Sequence, residues 1–130
     1  MKWHVIHRWV LLFIAVATVL SGAVQMIAPG FVLNVVRANQ TAASLHFFAI
    51  VGMFMLLFGG LLWHALTQDS RSQAIPVLWA SLQKFGASIA VALGIAHAIF
   101  QSPLAWLVAG VDFLSGVLAL TWWFRIRAEK

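Results

Sequence analysis

The chain contains no cysteine. That excludes disulfides, thiolate metal sites and thiol redox chemistry. Acidic residues are almost as scarce: Asp69, Asp112 and Glu129 are the only three in the chain. Paired catalytic carboxylates are therefore absent, and so are a nucleophile elbow, a phosphate-binding loop and a metalloprotease helix. Charged residues of both signs make up 8% of the sequence, against about 25% in a soluble domain. So few charges cannot cover a surface that faces water, and the solvent must be lipid.

The chain is instead rich in continuous apolar sequence, with a mean hydropathy of +0.97. At about 20 residues per crossing, 130 residues hold four helices with short connections and no soluble domain. The apolar runs are continuous rather than alternating, which argues against a β-barrel. The net charge of +5 does not point to nucleic acid, because the basic residues sit at helix ends, where they set topology.

The expected fold is an all-α integral membrane protein, a bundle of four transmembrane helices forming one domain over residues 1–130. The spans fall at about 9–28, 43–66, 77–100 and 103–124. Pro29-Gly30 closes the first. A cleaved signal peptide with a small-residue site near Ser21-Gly22-Ala23 is the competing reading of that segment; we take it as a retained span. Residues 31–42 are too short and polar to cross. They form either a surface half-helix using Phe31, Leu33, Val35 and Val36, or a plain loop. Gly52, Gly59 and Gly60 allow close neighbours on the second span. Residues 67–74 are the most polar run and form a loop. Ser102-Pro103 turns the chain into the last helix, with Pro103 suited to its first turn. No internal repeat is visible.

Four spans put both termini on one side. That side carries Lys2, Arg8, Arg71, Arg125, Arg127 and Lys130, and the other carries Arg37. The bias of basic residues toward the cytoplasm places both termini there. Trp3, Trp9, Trp63, Trp79, Trp122 and Trp123 gather at the same boundary, as an aromatic belt does.

Two charges lie at membrane depth, Lys84 on the third span and Asp112 on the fourth. Each costs about 2.5–3.5 kcal/mol on insertion scales, so such groups are usually paired or functional. Lys84 lies about five residues, or roughly 7–8 Å, inside Trp79, and Asp112 lies close to mid-membrane. The lysine stem can bridge the remaining depth, and an interhelical Lys84–Asp112 ion pair is expected. The alternatives are a lysine that snorkels to the headgroups and an uncharged, protonated Asp112. On the third span Gly86, Ala90, Gly94 and Ala98 form a small-residue ridge that admits a close backbone, either from the fourth span through Gly110 and Gly116 or from another protein. Gln83, Ala87 and His97 share that face, whereas Lys84 and Ser88 point about 100° or more away, so Lys84 and His97 do not build one site.

His4, His7 and His64 lie at the cytoplasmic interface, without the acidic or cysteine partners of a metal site. His46 and His97 lie near the outer ends of neighbouring spans. Two imidazoles at matching depth are candidate ligands for haem or another tetrapyrrole, or the lining of a quinone pocket; solvated interfacial histidines are the plainer reading.

The pattern resembles the small bacterial four-helix membrane proteins grouped as DoxX-like. The resemblance rests on Ala28-Pro29 closing the first helix, a short amphipathic connection, Gly52 and Gly59 in the second helix, Lys84 early in the third and Asp112 in the fourth. It implies the four-helix fold, a bacterial inner membrane and, for some members, quinone-coupled sulfur oxidation. The absence of cysteine and of a redox motif carries no activity over to this chain.

The leading functional expectation is a non-enzymatic accessory or scaffold subunit that packs in the bilayer against other membrane subunits, such as those of a respiratory or photosynthetic complex. A redox anchor holding haem or quinone at His46 and His97 is the second reading. A small transporter or channel using Lys84 and Asp112 is the third.

Overall fold

In lipid no water is available to the backbone, so an apolar chain must close its hydrogen bonds within each segment. The structure, a computed structural model, follows that rule. It describes residues 2–129, apart from the side chains of Ser70 and Arg71. Arg71 and Lys130, two of the basic residues assigned to the cytoplasmic side, thus lie outside the described side chains.

Five helices follow one another: α1 Lys2–Ile27, α2 Pro29–Val35, α3 Ala42–Thr67, α4 Ser70–Ala96 and α5 Leu104–Ala128. Four of them, all but α2, are long and apolar enough to cross a membrane. The described secondary structure is entirely helical.

Hydropathy marks where lipid begins rather than where a helix begins, and the helix ends differ accordingly. α1 starts at Lys2 rather than near Trp9, and α5 continues to Ala128 through Arg125 and Arg127. α4 starts at Ser70, inside the run that reads as a polar loop, and carries Pro76 within it. Its first turn is tied down by the Ser72 hydroxyl donating to Asp69 Oδ1 at 2.6 Å. α4 ends at Ala96, short of residue 100, because Ala98 turns left-handed at φ 55° and the Ile99 N–H returns to Gly94 O at 2.8 Å. This is the reversal usually given to glycine.

The connection after α1 is a half-helix rather than a plain loop, but shorter and earlier than residues 31–42. Pro29 opens it at a position that needs no N–H. Arg37, at φ 53°, closes it, with the Ala38 N–H on Leu33 O at 2.9 Å. Leu33 and Val36 turn inward while Phe31 and Val35 stay exposed.

The helices associate as two antiparallel pairs, α1 with α3 and α4 with α5. α1 and α3 meet where Gly22 faces Gly52. A Cβ on Gly22 would lie 2.5 Å from Leu56 N and 2.6 Å from Gly52 O. Only glycine permits backbones this close, and close contact drives association where lipid removes the hydrophobic difference. The apolar core that joins the two pairs lies toward the end carrying both termini. Leu11 and Ala15 of α1, Leu62 and Leu66 of α3, Val77 and Ala80 of α4, and Ala119, Trp122 and Ile126 of α5 meet there. At the opposite end the Gln101 and Ser102 N–H groups donate to Val36 O at 3.1 and 3.2 Å.

Candidate functional site

The polar side chains of α4 and α5 line the seam between them. Ser81, Lys84 and Ser88 recur at steps of three and four residues, so they share one face of α4. The facing positions on α5 are Gly116, Asp112 and Ala109. Ser81 Oγ donates to Gly116 O at 2.9 Å, Lys84 Nζ to Asp112 Oδ1 at 2.8 Å and Ser88 Oγ to Ala109 O at 2.8 Å. Nearer the termini, Trp122 Nε1 donates to Gln73 Oε1 at 2.9 Å. These four rungs hold one antiparallel register from one end of the pair toward the other.

Lys84 and Asp112 are 7% and 8% exposed, so each has lost nearly all its solvent and depends on the other. The lysine does not snorkel: its ammonium stays in the seam. No buried side-chain nitrogen or oxygen among the described residues lacks a hydrogen-bond partner. Each buried polar side-chain atom of the seam thus bonds to a group of the facing helix or of its own chain.

The small-residue ridge lies elsewhere. Gly86 is about 200° around the helix from Lys84 at 100° per residue, so α4 cannot bury both faces against α5. An unpaired ammonium or hydroxyl in lipid costs more than small-residue packing returns, and the polar face wins. A Cβ on Gly86 would meet nothing within 4 Å, and the same holds for Gly110. Ala90 and Ala98 are exposed as well. Gly94 alone of the ridge is covered, by the Phe100 ring, whose Cδ2 would lie 2.5 Å from an added Cβ. Gly116, the other proposed partner, packs instead under Phe85, 3.1 Å from an added Cβ.

No hydrogen bond or ring contact joins His46 and His97 among the described residues; both stand at the end of the bundle away from the termini. His46 stands in the first turns of α3, exposed, with its ring edge-on to Phe47 at 6.0 Å. His97 is the exposed residue that ends α4. α3 and α4 pack around Leu62–Leu66 and Val77–Ala80, toward the end carrying both termini, whereas both histidines stand at the opposite end. No group of three or more His, Cys, Asp or Glu side chains converges among the described residues.

His7, placed by the sequence among the interfacial histidines, also makes an interhelical contact that the sequence reading did not anticipate. Its Nε2 donates to Leu118 O at 2.8 Å, and its ring stands edge-on to Trp122 at 5.2 Å. Arg8 donates to Leu66 O at 2.6 Å, completing the last turn of α3, where carbonyls lack helical partners. Deeper on α1, Gln25 Nε2 reaches Phe48 O at 3.0 Å. The signal for this face was present: His7, Thr18 and Gln25 alternate with Leu11, Ala15 and Gly22 at steps of three and four. Polar residues at that period in an apolar helix face a neighbour.

Comparison with protein-family models, curated proteins and solved structures gives no match to the chain.

Proposed function

We propose that this chain is a non-enzymatic accessory subunit of a larger membrane complex in the bacterial inner membrane, with both termini in the cytoplasm. The observation that carries the reading is the division of α4 into two faces. One face commits its charge and hydroxyls to α5. The other presents Gly86, with nothing within 4 Å of where a side chain would stand, and the exposed Ala90. Such a surface lets another helix approach closely, and it offers lipid little contact area. The closed seam favours this reading over a transporter, because conduction needs polar groups lining a water path, and here those groups bond to each other. The basic and tryptophan-rich ends support the orientation.

Gentle solubilisation from native membranes followed by sizing and crosslinking tests the proposal. Comigration with a second membrane protein, lost when Gly86 and Ala90 are both replaced by leucine, is the expected result. A chain that migrates alone and crosslinks to nothing rejects it.

A further inference from the structure

At the end carrying both termini, a groove of about 400 Å³ is lined by His4, Val5, Arg8, Trp9, Leu12 and Trp122. That volume falls within the roughly 300–1,000 Å³ of small-ligand sites. The lining is graded along α1. His4 and Arg8, one turn apart, supply its polar part. Trp9, Leu12 and Trp122 supply apolar walls, and His4 to Leu12 spans about 12 Å of helix. Arg8 is held by a bond to Leu66 O at 2.6 Å, which engages one of the five N–H donors of a guanidinium. Behind the groove wall, the Arg125 guanidinium lies 5.1 Å above the Trp122 ring. Glu129, at 3.3 Å from Arg125, faces that second guanidinium. Trp9 is 67% exposed and forms the outer wall.

We propose that this groove binds one anionic phospholipid, with the phosphate on Arg8 and His4 and the first acyl carbons between Trp9, Leu12 and Trp122. Charge complementarity selects the headgroup: a planar guanidinium matches phosphate oxygens, and basic pockets beside transmembrane helices bind acidic headgroups. The apolar walls select the lipid over a soluble phosphate, since they stabilise only a ligand with a hydrocarbon chain. The site requires that this end of the bundle stand at headgroup depth. It does not depend on the chain being a subunit of a complex.

The test titrates the full chain, delipidated in mild detergent, with phosphatidylglycerol or phosphatidylcholine and counts retained lipid by native mass spectrometry. One phosphatidylglycerol is retained in preference to phosphatidylcholine. Arg8→Gln keeps a donor for Leu66 O but removes the charge, and lowers phosphatidylglycerol affinity about fivefold, since one basic residue contributes about a factor of that size. Arg37→Gln, at the opposite end, leaves it unchanged. If Arg8→Gln melts early, Trp9→Ala decides, because Trp9 is exposed: it weakens retention of the lipid without moving the melt. Equal retention of the two lipids overturns the proposal. So does undiminished binding by Arg8→Gln, or by Trp9→Ala where that variant decides, or displacement of the lipid by inorganic phosphate at equal concentration.

Discussion

Replacing Asp112 with leucine strands the Lys84 ammonium in the seam. The size of the effect follows from burial. Lys84 is 7% exposed and its Nζ has one charged partner, at 2.8 Å. Removing one member of a buried pair costs about 3–5 kcal/mol because the remaining charge is uncompensated. Membrane-insertion scales give about 2.5–3.5 kcal/mol for a lone charge at the helix centre. The ranges meet near 3 kcal/mol, more than a hundredfold in the folding equilibrium. Lys84→Met, which strands the carboxylate, falls in the same range. The double variant Lys84→Met, Asp112→Leu strands nothing, and replacing a buried pair with apolar groups is often neutral or stabilising. Reversible unfolding in mixed micelles, followed by circular dichroism, completes the double-mutant cycle. The expected pattern is two destabilised single variants and a double variant within about 1 kcal/mol of the parent. A double variant that loses the sum of the two single losses would show that the charges act independently, and it would refute this account of the seam.

Other perturbations separate the two helix pairs and the two faces of α4. Gly52→Ala puts a Cβ 2.6 Å from Met26 N, so α1 and α3 must part, at a cost of about 1–3 kcal/mol in the same unfolding assay. Gly86→Ala meets nothing within 4 Å, and it leaves the isolated chain unchanged or more stable by up to about 1 kcal/mol through helix propensity. Trp122→Phe removes the donor to Gln73 Oε1 and leaves a buried acceptor unpaired, lowering stability by about 1–3 kcal/mol. His46→Ala with His97→Ala alters two exposed side chains, so stability moves by less than about 0.5 kcal/mol, and the absorption spectrum of the purified chain does not change.

Much of the fold was legible because hydropathy is summed over a whole span. The four apolar runs needed no knowledge of their neighbours, and the Ser102-Pro103 turn with the reach of a lysine stem was enough to expect the Lys84–Asp112 pair. Helix ends were less legible, since Lys2 and Ser70 lie in polar sequence where a helix is limited by its caps rather than by lipid. The choice of face on α4 was harder still. Gly86, Ala90 and Gly94 and the Ser81, Lys84 and Ser88 set are both regular at helical period, and only the price of burying polar atoms in lipid ranks them. The contact face of α1 was missed for a related reason. His7 was weighed alone, by depth, and Gln25 was not singled out, although their spacing with Leu11, Ala15 and Gly22 marks that face.

The most direct measurement of the central claim is site-specific photocrosslinking in native membranes, with a photoreactive residue at Ala90 on the outer face of α4 and, separately, at Thr18, which is 5% exposed and faces inward. A subunit of a larger complex gives one defined heavier product from position 90, containing a second membrane protein, and only intramolecular products from position 18. Lipid adducts alone from position 90, with the chain sizing as a lone small particle in gentle detergent, would contradict the claim.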